Sequence, residues 1–368
     1  MNVLIVCGGT GGHFFPGLAV GEELLKRQHQ VLLVVSEKEI DRKAAQHVHG
    51  FLIQTLPAMG WGGWKPYRLI QFCRKTVKAF IRSRQIFRSF NPDVIVGMGG
   101  FNSIAPLLLA RLYRKPVCIH ESNTIAGKAN RFIASLGAVV AVGFEKTKEQ
   151  FPKNKVVWTG TPVRSALRIK KAHDQAFEEL GLITVLPTVL IIGGSQGAKR
   201  LNQLVVEAAR QVASMDIQWL HLTGTEDEPK IRQAYIQAGK KAQVYAFYHE
   251  MERLYAAADL VIARAGAASL AKIAQWALPS ILIPFPFAAD QHQAANAAAF
   301  VMEKAAIMYE ETNCHPEQLA KEIQVILKDK NHRKSMANAA QKICKEDAHQ
   351  KLAGLIERLK IDKDRSRI

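Results

Sequence analysis

Short apolar runs alternate along this chain with longer stretches in which apolar residues return every three or four positions. The first pattern marks a strand buried on both faces, the second a helix with one buried face. Runs at 2–7, 30–36, 51–56, 93–97, 116–120, 138–142 and 155–158 predict strands in the first half, with helices over 16–28, 39–48, 67–90, 101–114 and 127–135. The rhythm repeats in the second half, with strands over 187–192, 217–222, 242–245, 259–262, 279–283 and 305–308 and helices between them. Strands separated by helices pair in parallel through right-handed crossovers, so the order predicts two α/β units. Pro16 suits the first turn of its helix, where a missing N–H removes no hydrogen bond. The C-terminal stretch reads as helical and ends in a frayed tail from Lys363 to Arg367.

Two glycine-rich turns punctuate this pattern at matching places. Gly8, Gly9, Thr10, Gly11, Gly12 and His13 follow the first strand; Gly193, Gly194, Ser195, Gln196 and Gly197 follow the first strand of the second half. A strand, a tight glycine turn and a helix start together present free backbone N–H groups to an anion such as phosphate. His13 falls at the end of its turn, at the carboxyl edge of the predicted sheet, where open α/β folds bind ligands. A neutral imidazole there suits general-base work, and the same ring equally suits capping the helix. Ser195 offers a hydroxyl and an N–H for one phosphate oxygen. Arg264, followed by Ala265, Gly266, Ala267, Ala268 and Ser269, opens another helix after a strand, and its guanidinium is placed to neutralise a diphosphate. Gln293 and Asn296, on one helix face, offer amides suited to sugar hydroxyls. The first turn lacks the GxGxxG spacing, and Ser36, Glu37 and Lys38 only approximate a ribose-binding acid, which disfavours a nicotinamide dinucleotide.

Composition narrows the class. The chain has 368 residues, 48% of them hydrophobic, enough for two cores and too apolar for disorder. No apolar stretch is long enough to span a bilayer, and no signal peptide precedes the first strand, so a cytosolic N-terminus is expected. The five cysteines form no CxxC pair, which argues against a disulfide framework or a zinc site; no metal or cofactor is expected. Net charge is +18, and residues 1–160 hold 22 Lys and Arg against 9 Asp and Glu. Such a field favours anionic partners. From Arg42 to Pro92 there is no acid at all. That segment carries Trp61, Trp64 and then the 67–90 helix, where Leu69, Ile70, Cys73, Val77, Phe80 and Ile81 recur beside Lys75, Lys78, Arg82, Arg84 and Arg88. This is the pattern of a helix lying on an anionic membrane. The competing reading packs the apolar stripe on the sheet and leaves the basic face in water. Few aromatics and no RRM, KH or helix-turn-helix signature argue against nucleic acid as a partner.

These motifs together resemble the MurG family of bacterial N-acetylglucosaminyltransferases, in glycosyltransferase family 28. The blocks carrying the resemblance are Gly8 to Ala19, Gly97 to Phe101, His120 to Asn123 with Ile125 to Gly127, Gly160 to Arg164, Gly193 to Ala198, Arg264 to Ala267 and Asp290 to Asn296. The resemblance implies an α/β chain of GT-B type, two Rossmann-like parallel-sheet domains facing across a cleft. It implies an N-terminal domain over 1–163 on the acceptor and membrane side, a donor domain over 164–340, and a C-terminal helix and tail over 341–368 returning toward the first domain. The implied reaction is inverting, metal-free transfer of N-acetylglucosamine from UDP-GlcNAc to the muramic acid 4-hydroxyl of lipid I, forming lipid II. Thr10, Gly11, Gly12 and Asn123 match the family's N-domain ligand contacts. Arg164, Ser195, Tyr248, Ala267, Ala268, Ser269, Leu270, Ala271, Lys272 and Gln293 match its donor contacts, and His13 matches a proposed base or acceptor-site residue. The implied location is the cytoplasmic face of the inner membrane, as a peripheral protein with UDP-GlcNAc, lipid I and cell-wall synthesis proteins as partners. The chain departs from the family pattern at Lys272, where the family has Glu; an ammonium only donates and cannot accept bonds from ribose hydroxyls. Ser122, Thr124, Tyr248 and Ala277 are further departures. A non-catalytic membrane-bound cell-wall scaffold and a related transferase for another lipid acceptor are the competing readings.

Overall fold

The computed structural model describes residues 1–8, 11–38, 48, 50–57, 66–169, 171–194, 197–212 and 215–365. Residues 39–47 of the helix expected over 39–48, and both Trp61 and Trp64, lie outside them. The chain divides into two compact units, Met1–Ser165 with Lys345–Ile368, and Ala166–Cys344.

The first unit is built on a seven-stranded parallel sheet in the order β3-β2-β1-β4-β5-β6-β7. The strands are β1 (Asn2–Val6), β2 (Gln30–Ser36), β3 (Leu52–Leu56), β4 (Val94–Gly97), β5 (Val117–Glu121), β6 (Val139–Val142) and β7 (Val156–Trp158). Its helices are α1 (Gly11–Lys26), α2 (Pro66–Phe90), α3 (Ile104–Leu112) and α4 (Lys128–Ser135), and Ala348–Arg365 returns as the C-terminal helix. Alternation along β1 shows why the run is apolar throughout. Val3 and Ile5 enter a core with Phe14, Leu18 and Leu24 of α1 and Leu352 and Ile356 of the C-terminal helix. Leu4 and Val6 enter the opposite core, with Ile86 and Phe87 of α2, Leu107 of α3 and Ile133 of α4. Both faces are covered, as a parallel sheet requires.

Three of the departures from the sequence reading change how a helix begins or ends. α1 starts at Gly11, so Pro16 sits inside the helix and not in its first turn. The missing Pro16 N–H removes the bond that the Gly12 carbonyl would otherwise accept. The stretch expected as one helix over 101–114 opens with a tight turn at Phe101–Ser103 before α3 begins. The C-terminal helix continues through Lys363 to Arg365 where a frayed tail was expected.

That helix is latched as well as packed. Glu357 accepts from Arg27 Nη1 and from His29 Nε2, each at 2.8 Å, and Arg27 Nε also reaches Glu23 at 2.8 Å. Burial pushes the Glu357 carboxyl up, but His29 and Arg27 outweigh it and hold it below its usual range. One turn further on, Lys360 pairs with Asp93 at 3.1 Å, and Asp93 holds the Asn2 N–H at 2.8 Å at the start of β1.

The second unit has a six-stranded parallel sheet in the order β10-β9-β8-β11-β12-β13. Its strands are β8 (Thr188–Ile192), β9 (Gln218–Leu222), β10 (Lys241–Tyr245), β11 (Leu260–Ala263), β12 (Ser280–Leu282) and β13 (Ala306–Met308). Its longer helices are α5 (His173–Leu180), α6 (Lys199–Gln211), α7 (Glu228–Gln237), α8 (Met251–Ala256), α9 (Ala267–Gln275), α10 (His292–Met302), α11 (Pro316–Lys328) and α12 (Lys330–Ile343). Leu201, Val205 and Ala208 of α6 and Leu319, Ile323 and Ile326 of α11 pack on Val189, Ile191, Trp219, Ile262 and Ile281 of the sheet.

Leu352 is fully buried in the first unit's core. Leu352→Ala is expected to destabilise that unit by about 3 kcal/mol through lost burial and a residual cavity. Glu357→Gln, which touches only partly exposed ion pairs, is expected to cost about 1 kcal/mol or less. Urea denaturation followed by hydrogen exchange checks both; equal losses would mean that charge, not packing, holds the helix.

Candidate functional site

Each sheet reverses its strand order beside its first strand, between β1 and β4 in one unit and between β8 and β11 in the other. The carboxyl ends flanking such a reversal splay apart and leave a crevice, the usual ligand position in open α/β sheets. Both glycine turns lie at these points.

In the first unit the chain leaves β1 through Gly8, where a Cβ would lie 2.3 Å from the Ser36 nitrogen of β2. At Gly17 a Cβ would lie 2.6 Å from that of Cys7, so α1 runs in contact with the strand it follows. Across the reversal, β4 leads into Gly99 (φ +106°) and Gly100 (φ +80°), a left-handed pair that favours glycine. His13 lies in the first turn of α1 and is half-buried. Its ring packs on the Gly99–Gly100 turn, so that a Cβ on Gly99 would lie 3.0 Å from His13 Nε2 and one on Gly100 would lie 3.5 Å from Nδ1. Gly11 and Gly12 are the first two residues of α1; Thr10 lies outside the described residues.

β5, next to β4, ends in the residues that organise the adjoining loop. Glu121 is buried, and its carboxylate is fully engaged. Oε1 accepts from Asn123 N at 2.9 Å and Asn123 Nδ2 at 3.1 Å, while Oε2 accepts from Gly127 N at 2.9 Å and Asn130 Nδ2 at 2.8 Å. Asn123 is therefore a half-exposed side chain held in one orientation. His120 is buried beside it; Nε2 donates to the Gly160 carbonyl at 3.0 Å and Nδ1 accepts from Ser122 Oγ at 3.1 Å. Burial lowers its pKa, which keeps the ring neutral. Sequence reasoning did not single out Glu121 or Asn130 as organising residues; an acid closing an apolar strand, nine residues ahead of an Asn, was the available signal. Arg164 belongs to the first unit, where its guanidinium lies 4.8 Å from the Phe15 ring centroid.

In the second unit β8 runs into Gly193 and Gly194 (φ +109°). A Cβ at Gly193 would lie 2.7 Å from that of Ala198, so the return to α6 is tight. Ser195 lies outside the described residues. Across the reversal, β11 leads through Arg264 and Gly266 into α9. Gly266 borders open space, and no side chain caps the helix. Ser269 N and Leu270 N both turn back to the Gly266 carbonyl, leaving the N–H groups of Ala267 and Ala268 without an intrahelical acceptor. Ala267 and Leu270 are buried, while Ala268, Ser269, Ala271 and Lys272 form the accessible face. β12 leads through the 283–291 loop into α10, where Gln293 Oε1 accepts from Phe285 N at 3.0 Å. Tyr248 follows β10, its ring 4.7 Å from that of Tyr245.

Two expectations change here. Arg264, expected to neutralise a diphosphate, is buried and ion-paired with Glu311, and its Nη1 donates to the Ile283 and Pro284 carbonyls at 3.0 and 3.1 Å. The last carbonyls after β12 need donors at the strand end, and the guanidinium supplies them. Asn296, expected to meet sugar hydroxyls, is fully buried, and its Nδ2 donates to the Ala265 carbonyl at 3.1 Å. It tethers α10 to the turn that opens α9.

Residues 3–142 match the glycosyltransferase family 28 N-terminal domain and residues 188–352 the family 28 C-terminal domain. A UDP-N-acetylglucosamine–N-acetylmuramyl-(pentapeptide) pyrophosphoryl-undecaprenol N-acetylglucosamine transferase from Anaeromyxobacter sp. (strain Fw109-5) is 35% identical over 98% of this chain and 93% of its own length. The transferase of the same name from Desulfotalea psychrophila is 34% identical over 97% and 96%. Among solved structures, MurG of Acinetobacter baumannii superposes with a TM-score of 0.77 at 27% identity, covering 97% of this chain and 99% of that one. With relatives this similar along nearly its whole length, the chain belongs to glycosyltransferase family 28.

Proposed function

We propose that the protein transfers N-acetylglucosamine from UDP-GlcNAc to the muramic acid 4-hydroxyl of undecaprenyl-diphospho-MurNAc-pentapeptide, lipid I, forming lipid II and UDP. The observation that carries this reading is the placement of a glycine turn at the strand-order reversal of each sheet, in a chain that matches transferases named for that reaction from end to end.

In the reaction the acceptor oxygen attacks the anomeric carbon as the bond to the UDP oxygen breaks, with inversion. The acceptor proton goes to His13, a ring held on the Gly99–Gly100 turn. Thr10, Gly11, Gly12 and the oriented Asn123 bind beside it. The departing diphosphate carries negative charge, and preorganised N–H donors stabilise it where it develops. Ser195 and the open N-terminus of α9 supply them; Arg264 acts at one remove, by fixing the loops around that terminus. Arg164, Tyr248, Ala268, Ser269, Ala271, Lys272 and Gln293 make the donor contacts, with the Ala267 N–H at the open terminus; Leu270, fully buried with its N–H on the Gly266 carbonyl, only backs them. The first unit, Met1–Ser165 with Lys345–Ile368, takes the acceptor, and the second, Ala166–Cys344, takes the donor; the boundaries fall at 165/166 and 344/345 and not at 163/164 and 340/341.

α2 provides the membrane contact. Phe72, Ala79, Ser83, Ile86 and Phe87 face the protein, yet Ile70, Val77 and Ile81 are 61%, 59% and 56% exposed. Exposed Arg74, Lys75, Lys78 and Arg82 flank this second apolar stripe. Packing on the sheet therefore does not account for it. No helix among the described residues is long and apolar enough to cross a bilayer. A peripheral position on the cytoplasmic face of the inner membrane, close to other cell-wall synthesis proteins, is part of this proposal, and the exposed apolar and basic face of α2 supports the membrane contact. The second reading, a scaffold without catalysis, is favoured by Lys272 on the accessible face of α9.

Purified protein is expected to release UDP from UDP-GlcNAc only when a lipid I analogue is present, and His13→Ala to lower kcat by about 10²- to 10⁴-fold with little change in donor KM. A folded wild type that turns over neither substrate would leave the scaffold. Lys272→Glu is expected to keep or strengthen UDP-GlcNAc binding in calorimetry; a large loss would show that the ammonium makes an essential contact of its own. The triple variant Lys75→Ser, Lys78→Ser, Arg82→Ser is expected to reduce sedimentation with phosphatidylglycerol vesicles at least about tenfold, since each basic residue contributes on the order of 1 kcal/mol at an anionic surface. Unchanged sedimentation would place the membrane contact elsewhere.

A further inference from the structure

A buried polar chain in the second unit has no part in the scheme above. Asn202 of α6 and His221 of β9 are completely buried, and Tyr235 of α7 is nearly so. Asn202 Nδ2 donates to the Thr223 carbonyl at 3.0 Å and to Asp227 Oδ2 at 2.8 Å. Carbonyl and carboxylate oxygens accept, so these two bonds fix the amide's orientation. Asn202 Oδ1 then faces His221 Nε2 at 3.1 Å, and the ring must donate there. Its Nδ1 is left as the acceptor for the Tyr235 hydroxyl, also at 3.1 Å. Every donor and acceptor role along the chain is set by the one before it.

The far end of the chain is the loop against which the second glycine turn rests. Gly197 has φ +77°, and a Cβ there would lie 2.7 Å from the Thr223 carbonyl oxygen. Asn202 also donates its own N–H to the Ala198 carbonyl at 2.8 Å, immediately after the turn. One residue thus grips both the backbone leaving the turn and the loop that backs it. Buried polar groups in an otherwise apolar core are costly unless fully bonded, and apolar side chains would fill the same space. What the polar chain adds is direction. Burial pushes His221 down to about 3 and Tyr235 upward, so neither role changes near neutral pH.

We propose that Asn202 and His221 are positioning residues that fix the turn around Gly194 and Gly197 through the Thr223 carbonyl, and so set the affinity of the donor site for a nucleotide diphosphate. The inference rests on that turn being part of the donor site.

Hydrogen exchange and UDP-GlcNAc calorimetry on the full chain test it. In Asn202→Ala, exchange is expected to rise about tenfold in peptides carrying Gly193, Gly194, Gly197 and Thr223, and to stay at the wild-type rate in β11 to β13. The donor Kd is expected to rise about tenfold, the effect of roughly 1.4 kcal/mol. His221→Gln, which retains an N–H for Asn202 Oδ1, is expected to stay within about threefold of wild type, a conservative rescue that mere filling of the core would not produce. If Asn202→Ala does not fold, Tyr235→Phe keeps the ring and removes one bond, and a smaller rise confined to the same peptides is expected. Wild-type exchange at the turn in Asn202→Ala or, where that variant does not fold, in Tyr235→Phe, or a rise spread evenly through the unit, would overturn the proposal. A wild type that binds no UDP-GlcNAc while the localised exchange change persists would instead count against the transferase reading and leave the positioning role standing.

Discussion

The closeness of backbone to backbone where each first strand ends constrains everything built on it. At Gly8 there is no room for a methyl group, because the neighbouring strand's nitrogen lies 2.3 Å from where it would sit. At Gly193 the limit is set by the chain's own return, with Ala198 at 2.7 Å. Turns this tight let a helix begin almost at the sheet edge, so its unpaired N–H groups face the crevice left by the strand reversal. A bulkier turn would set the helix start back and lose the close approach of a ligand to the backbone. The positions of His13 and of the α6 turn both follow from this.

Backbone donors bind an anion only as well as they are held. In each unit the holding is done by a buried polar side chain whose bonding capacity is almost wholly engaged. Glu121 gathers two backbone N–H groups and two side-chain amides around the loop that carries Asn123. Arg264 joins the ends of β11 and β12 through two carbonyls and Glu311, and Asn296 ties α10 to the start of α9. None of these groups needs to touch a substrate to matter. Charge-assisted bonds in a low-dielectric interior lock geometry more firmly than the same bonds in water.

The alternation of apolar runs and helical periods made the strands legible, since buried parallel strands are nearly continuous in Val, Ile and Leu. The glycine turns were legible for the same reason: their residue type is dictated by contact. Helix starts were less so. Pro16 pointed to a first turn, but the helix reaches back to Gly11, a start that local preference does not reveal. Arg264 and Asn296 show the same limit for side chains. Their positions at a strand end and on a helix face were correct in kind, yet whether such a group turns inward or outward depends on which carbonyls lack donors in the folded chain. No periodicity encodes that.

α2 makes the converse point. Its apolar residues fall into two sets, and only the folded chain separates them. Ala79, Ile86 and Phe87 are buried, whereas Ile70, Val77 and Ile81 are left in solvent beside four cations. Sequence periodicity alone merges the two, because a broad apolar arc and two narrow ones produce similar spacing. Apolar side chains scattered singly on a surface need no explanation. A row of them along one helix, lined by cations in a segment without acids from Arg42 to Pro92, is a different matter. An anionic bilayer surface, where charged headgroups lie beside an apolar interior, would match both the apolar row and its cations, which is why the membrane contact is proposed for this helix.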